Sequence, residues 1–283
     1  MKIAISADST CDLSPELIER YGVKIIPLTV IMEGKTYRDG VDITPQDIFD
    51  TVARTGVLPK TSACSPEEYH KFFAEILKTA DHVIHYNITS KASATHENAK
   101  AAAKEADLAG KVSVVDSLAL STGQALLVLK ACDLVAEGKT PEEIVSITES
   151  LRPKINTSFV PDSLDYLHKG GRCSLASMIG AKILKLHPLI EIADGQMFAK
   201  RKLQGNMSAC FKKYIAELAA QYPSYDKTRC FITHTHCDPA LVTQVRVQME
   251  ELFDFDEVLE TYAGSVVTSH CGKGTLGLLF ITE

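Results

Sequence analysis

The chain lacks several features that mark particular classes of protein. It has no tryptophan, and no apolar run approaches the roughly 20 residues of a membrane-spanning helix. Its eight cysteines are scattered singly with no Cys-x-x-Cys pair, which favours reduced thiols over a disulfide framework. Asp8 comes too early for a secretory leader. These absences predict a soluble, cytoplasmic, globular protein with no integral membrane segment.

An excess of basic residues is also missing. The 283 residues include 30 Lys and Arg against 36 Asp and Glu, a formal net charge of −6, which argues against a general nucleic-acid binder. The charge is uneven, because residues 152–202 carry nine basic and four acidic groups. This basic segment is either a solvated face or a surface that meets an anion or an acidic partner.

Apolar strands alternate with capped helices through the first half of the chain. Strands are predicted over residues 2–7, 23–32, 82–88 and 112–116. Helices begin where Ser or Thr precedes proline, at Ser14, Ser65 and Thr140, and Glu68 completes a capping box with Ser65. Two further helices are predicted over 93–108 and 120–137. This alternation indicates a parallel sheet covered on both faces.

The pattern changes after Arg152-Pro153. A hairpin is predicted over residues 189–200, with Asp194-Gly195 at its turn. Helices follow near 207–221 and 239–253, and strands near 230–235, 258 and 276–282. We therefore predict an α/β protein of two domains: an N-terminal parallel-sheet α/β domain, residues 1–153, and a C-terminal α+β domain, residues 154–283, with a mixed or antiparallel sheet.

Two short motifs suggest chemistry. Residues 272–277 spell Gly-x-Gly-x-x-Gly, but only six residues follow and they form a predicted strand, so a dinucleotide site is rejected. His234 and His236 lie two apart near a strand end with Asp238 beside them, a spacing that could hold zinc. A metal-dependent hydrolase or transferase using these residues is the alternative function. Against it, Pro239 stands where such enzymes need another histidine, and Asp238-Pro239 also opens a helix.

Polar segments follow several of the predicted N-terminal strands. They are residues 8–12, 89–95 and 116–117, and residues 61–66 form a similar polar segment before a capped helix. In open parallel sheets, ligands bind beyond the carboxyl ends of the strands, and hydroxyls with helix N-terminal amides can hold an anion. Their convergence predicts a site for a small anionic head group.

Taken in order, these segments resemble the DegV family of bacterial fatty-acid-binding proteins. The resemblance spans essentially the whole chain, and the Tyr166-Leu167-x-Lys169-Gly170-Gly171-Arg172 segment is its most specific part. The other matching stretches are residues 8–13, 61–68, 88–95, 114–123, 164–174, 188–201 and 270–274.

The resemblance implies a carrier that holds one long-chain fatty acid between its two domains, with no other cofactor, no metal and no catalysis of its own. The family's carboxylate site maps onto Thr61, Ser62, Ser93, Ala94 and His270. The better-known members present the acid to a fatty-acid kinase, which makes an acyl phosphate for phospholipid synthesis. Arg172 and Arg201 would then face that kinase or the phosphate.

Three features of this resemblance have more than one interpretation. The family's Ser-Gly-Thr turn is Ser93-Ala94-Thr95 here, which matters if the backbone needs a positive φ and has no consequence if Ala94 begins a helix. Lys273 places a cation in the last matching stretch, residues 270–274. A lipid-sensing interaction protein without a kinase, or one that contacts a membrane transiently, fits the same sequence.

Overall fold

Strands and helices alternate along residues 1–171 and 186–283, which the computed structural model describes. The strands are β1 (Ile3–Asp8), β2 (Lys24–Ile26), β3 (Thr29–Met32), β4 (Lys35–Arg38), β5 (Lys60–Ser62), β6 (His82–Asn87), β7 (Val112–Asp116), β8 (Ile155–Val160), β9 (Leu186–Ala193), β10 (Gln196–Gln204), β11 (Tyr225–His234), β12 (Val258–Tyr262) and β13 (Leu276–Thr282). The helices are α1 (Pro15–Tyr21), α2 (Pro45–Thr55), α3 (Pro66–Leu77), α4 (Thr95–Ala103), α5 (Thr122–Ala136), α6 (Pro141–Leu151), α7 (Asp165–Lys169), α8 (Met207–Gln221), α9 (Pro239–Leu252) and α10 (Ser265–Cys271).

The first sheet is parallel, as predicted. Its strand order is β2-β1-β6-β7, and every pairing in it is parallel. All six residues of β6 are buried, as expected for a strand covered on both faces. The predicted helix starts are confirmed: Ser65 and Thr140 each form a capping box, with Glu68 and Glu143. A third box, between Thr44 and Asp47, begins α2.

The single strand predicted over residues 23–32 is wrong, because the segment forms two strands in different sheets. β2 joins the parallel sheet, whereas β3 pairs antiparallel with β4 and β5 in a three-stranded sheet. Pro27 lies between them and has no N–H to donate, so it interrupts the ladder. This small second sheet carries β5, one wall of the candidate site.

The third sheet is mixed, in agreement with the predicted α+β pattern. Its order is β10-β9-β8-β13-β11-β12, and only the β11–β12 pairing is parallel among the described strands. Asp194 and Gly195 have φ values of 49° and 77°, so the predicted primed hairpin turn is confirmed. The sequence pattern does not predict β8, a fully buried strand directly after the short 3-10 turn Arg152–Lys154.

Helix α5 lies against both large sheets. Its buried residues share one apolar core with strand residues of the first sheet and with Phe231, Leu279 and Ile281 of the third. An added Cβ at Gly123 would clash with Thr157 Oγ1 of β8 and would lie 3.3 Å from Ala119 Cβ, so the glycine permits the close approach of α5 to β8. The predicted domain boundary at 153/154 falls in the Arg152–Lys154 turn and stays a prediction. Within residues 1–171 and 186–283, no helix combines the length and apolar character needed to cross a membrane.

Candidate functional site

A cavity lies between the small sheet, the edge of the parallel sheet and α10. Its empty space amounts to about 630 Å³ when the open space at its mouth is counted. Most of its wall is apolar, formed by Leu28, Ala63, Ile88, Ala92, Leu120, Leu167, Met197, Val266, Val267 and Cys271. Polar side chains occupy the rest, and we call this cavity the first cavity.

Four of the predicted site residues line this cavity: Thr61, Ser62, Ser93 and His270. His270 Nε2 lies 2.8 Å from Thr61 Oγ1, which joins α10 to β5. Ser62 is exposed, and its hydroxyl donates to the Ala63 carbonyl at 3.2 Å. Three hydroxyl groups and an imidazole are thus grouped around an apolar space, a set of donors suited to a carboxylate.

Ser93 reaches the cavity because the start of α4 is tied to the segment after β5. Asn98 on α4 donates to the Cys64 carbonyl at 2.7 Å, and Ser93 Oγ accepts the Thr95 N–H at 3.3 Å. Ala94 is exposed and takes the N-cap position with a φ of −80°. The backbone there needs no left-handed conformation, so alanine in place of the family's glycine causes no strain.

The two glycine-containing segments of the resemblance pack against each other. Gly170 follows α7, and a Cβ at this position would lie 2.7 Å from His270 Nδ1. Gly272 follows α10 with a φ of 73°, and a Cβ there would lie 2.6 Å from the Tyr166 ring. Both glycines therefore permit contacts that hold the α10 end carrying His270 against α7.

A second cavity, about 350 Å³ when the open space at its mouth is counted, adjoins the first and shares Leu120, Val267 and Cys271 with it. It lies between the start of α5 and the third sheet, where Phe159 and Leu279 form part of its wall. Hydroxyl groups also line it, but most of them bond within the protein. The Ser121, Ser158, Thr233, Thr235 and Thr275 hydroxyls do so.

Comparison with known proteins decides the family. A family model described as "Uncharacterised protein, DegV family" matches residues 2–283. The chain belongs to the DegV family. A DegV domain-containing protein of Caldanaerobacter subterraneus is 33% identical over 279 residues, with 99% of this chain and 98% of the relative covered.

Two further relatives are described by what they bind. A "Fatty acid-binding protein" of Thermotoga maritima is 30% identical, with 98% of this chain and 96% of the relative covered. The solved structure of a DegV family protein from Thermus thermophilus, described as fatty acid binding, matches with a TM-score of 0.92 at 31% identity, over 100% of both chains.

Other polar segments of this DegV chain bond to the protein itself. Thr10 lines the first cavity, but its hydroxyl donates to Asp8. Asp8 also accepts the Ile88 N–H at 3.0 Å, and burial raises the pKa of its carboxyl. Asp116 accepts two backbone N–H groups, and Thr89 donates to the Gly195 carbonyl at 3.0 Å. These residues hold loops together at the sheet edge.

The basic residues Arg172, Arg201 and Lys273 lie in different parts of the chain, and none of those that the structure describes lines the first cavity. Arg172 lies outside the described residues. Arg201 is on β10, about one-third exposed, in an ion pair with Glu217 of α8. Lys273 lies over the Phe49 ring at 5.8 Å, in the wall of a separate surface groove rather than of the first cavity. Its ammonium group therefore belongs to a different surface from the carboxylate donors.

The alternative metal site is not supported. His234 lies 3.4 Å from the Cys237 N–H group and 3.5 Å from Glu260. Asp238 accepts the Ala240 N–H at 2.9 Å and caps α9, the structural role that the sequence also allowed. Within the described part of the chain, no group of three or more metal-ligating side chains occurs. Gly277 lies in strand β13 rather than at the start of a helix, which agrees with the rejection of a dinucleotide site.

Proposed function

We propose that this DegV protein binds one long-chain fatty acid, with its carboxylate at Thr61, Ser62, Ser93 and His270. The observation that carries the proposal is the His270–Thr61 pair, joined at 2.8 Å beside an apolar cavity. Relatives described as fatty-acid binding, from Thermotoga maritima and Thermus thermophilus, support the same ligand class. The acyl chain runs past Leu120 and Val267 into the second cavity.

The division of labour follows from the cost of burying each part of the ligand. A carboxylate taken from water without partners costs several kcal/mol, so it needs donors. Burying about 14 methylene groups contributes a gross ~11 kcal/mol at ~0.8 kcal/mol each, from which association and ordering costs remove several kcal/mol. The tail therefore supplies most of the affinity, and the hydroxyls and His270 set the orientation of the head group.

The protein acts as a carrier rather than as a catalyst in this proposal. The acid lies between an N-terminal domain of residues 1–153 and a C-terminal domain of residues 154–283, and it is handed in the cytoplasm to a fatty-acid kinase. Hydroxyl donors suit this task because they orient a carboxylate without a permanent opposite charge that would oppose release. A kinase that engages Arg201 has to compete with Glu217 for the guanidinium group.

Titration of the delipidated protein with palmitate tests the head-group assignment. His270→Ala should weaken binding about tenfold, the effect of losing one hydrogen bond to a charged group, and Ser93→Ala should weaken it by less. His168→Ala is the matched control, because His168 is exposed on α7, outside the cavity wall. Equal affinities for the wild type and His270→Ala would contradict the assignment.

A further inference from the structure

Two buried aspartates bond to the first amides of α10. Asp12 follows β1, and its Oδ1 accepts the Gly264 N–H at 2.7 Å. Asp39 follows β4, and its Oδ1 accepts the Ser265 N–H at 2.7 Å. The partners are 252 and 226 residues apart in sequence. Amides that a helix start leaves without an intrahelical acceptor are therefore satisfied by the N-terminal half of the chain. We call Asp12 and Asp39 the α10 clamp.

The other oxygen of each carboxylate is also engaged. Asp12 Oδ2 accepts the Ser121 hydroxyl at 2.5 Å, and Asp39 Oδ2 accepts the Ser9 hydroxyl at 2.7 Å. Ser121 adopts a φ of 53° and a ψ of −141°, a conformation that residues with side chains rarely take and that surrounding contacts must hold. These bonds fix both carboxylates toward the helix rather than toward a ligand.

Glycine at the N-cap of α10 leaves room for the clamp. Gly264 has a φ of −66°, which any residue adopts, so its backbone conformation does not require glycine. A Cβ there, however, would lie 3.1 Å from Asp39 Oδ1 and 3.2 Å from Asp12 Oδ1. A methyl group at position 264 would therefore require the two carboxylates to shift by a few tenths of an ångström relative to the helix start.

Helix α10 connects the clamp to the head-group site. The helix has seven residues, a length of about 10 Å, and most of its side chains are buried. Val266, Val267 and Cys271 form part of the wall of the first cavity, and His270 near the far end bonds to Thr61. Such a short, closely packed helix moves as a unit, so a shift at its first turn also displaces His270.

We propose that Asp12 and Asp39 are positioning residues for the carboxylate site: they fix the start of α10 and thereby the imidazole of His270. The role of His270 toward the ligand rests on the proposed function. The clamp itself concerns the placement of the ring in the protein, with or without lipid, and can be tested separately.

The test uses the full chain and two NMR signals: the His270 ring nitrogens in delipidated protein and the carboxyl carbon of bound [1-13C]palmitate. Asp39→Ala and Asp12→Ala should displace both signals and accelerate palmitate dissociation roughly five- to tenfold, as for one lost head-group hydrogen bond. Asp39→Asn should restore them, because it keeps an oxygen for the Ser265 N–H. If the alanine variants do not fold, Gly264→Ala gives the same test with both carboxylates retained.

Asp116→Ala is the matched control, since Asp116 also accepts two backbone N–H groups, from Ser90 and Leu118, away from α10. It should lower stability and leave the His270 signals of the delipidated protein in place. The proposal is overturned if the clamp variants and Gly264→Ala lower the melting temperature as Asp116→Ala does and leave the His270 signals at their wild-type positions. Absence of a palmitate signal in the wild type would refute the fatty-acid proposal alone, and the His270 signals would still decide the role of the clamp.

Discussion

At the scale of single residues, His85 gives the fold a defined response to acid. It lies on β6, fully buried, with Nδ1 2.9 Å from Ser6 Oγ and its ring against Tyr69 and Phe73. Burial, aided by the neighbouring His96, lowers the pKa of His85 to about 3. The folded protein therefore keeps this ring neutral in a range where the unfolded chain protonates it.

Between pH about 6.5 and about 3, His85 is protonated in the unfolded state but neutral in the folded state. The contribution of His85 to stability therefore falls as the pH falls. His85→Gln should flatten the plot of unfolding free energy against pH by up to about 1.4 kcal/mol per pH unit. Denaturant unfolding across that range measures the two slopes. Parallel plots for the wild type and the variant would contradict the assignment.

The buried carboxyls act in the opposite direction. Burial raises the pKa of Asp8, Asp12 and Asp39, so each folded carboxyl holds its proton more tightly than the unfolded one. Their contribution to stability is therefore largest at low pH and is lost as the pH rises through the raised pKa. The pH dependence of the unfolding free energy is the sum of the histidine and carboxyl contributions. The difference between the wild type and His85→Gln therefore isolates the contribution of the histidine.

At the scale of elements, the contact between α7 and α10 depends on a glycine, Gly170, at the end of α7. Gly170 has a φ of −73°, which an alanine can adopt, but the new Cβ would lie 2.7 Å from His270 Nδ1 and 2.9 Å from the Tyr166 carbonyl oxygen. Gly170→Ala should therefore displace His270 and weaken palmitate binding, measured by titration of the delipidated protein with palmitate.

Gly171 next to it provides the control. Its φ is 68°, and a Cβ there meets no atom within 4 Å among residues 1–171 and 186–283. Gly171→Ala should therefore cost about 1–2 kcal/mol of stability through backbone strain and leave palmitate affinity unchanged. If both alanine variants bound palmitate equally well, close packing at Gly170 would not govern the site.

Elements that carry their own start signals could be predicted from the sequence. The capping boxes at Ser65 and Thr140 lie within four residues of sequence and need no tertiary information. Helix α10 was not foreseen, because Ser, Val, Thr and Cys are weak helix formers and the segment has no helical periodicity. Its first turn depends on Asp12 and Asp39, more than 220 residues away, and no local pattern carries that information.

The residues of the candidate site also differ in whether local sequence predicts them. Sequence position alone placed Ser93 and Thr61 near the edge of a sheet, but the pairing of Thr61 with His270 joins residues 209 positions apart, and His270 was named only through the family resemblance. The polar segment at residues 8–12 was expected to face a ligand. Its aspartates instead bond to backbone amides at Ile88 and Gly264, since buried carboxylates need such donors.

At the scale of the whole molecule, the two cavities lie where the halves of the chain meet. The first cavity takes wall residues from β5 and α10, and the hairpin turn of β9 and β10 is tied to the first half by the Thr89–Gly195 bond. The second cavity lies between α5 and the third sheet. A ligand spanning both would contact each half, so its binding should stabilise the joint between them.

A crystal structure of the delipidated protein reloaded with palmitate tests the central claim most directly. We expect one palmitate molecule, with a carboxylate oxygen about 3 Å from Thr61 Oγ1 or His270 Nε2 and the tail passing Leu120 and Val267 into the second cavity. Palmitate bound elsewhere, or both cavities filled by protein side chains with no space for a hydrocarbon chain, would contradict it.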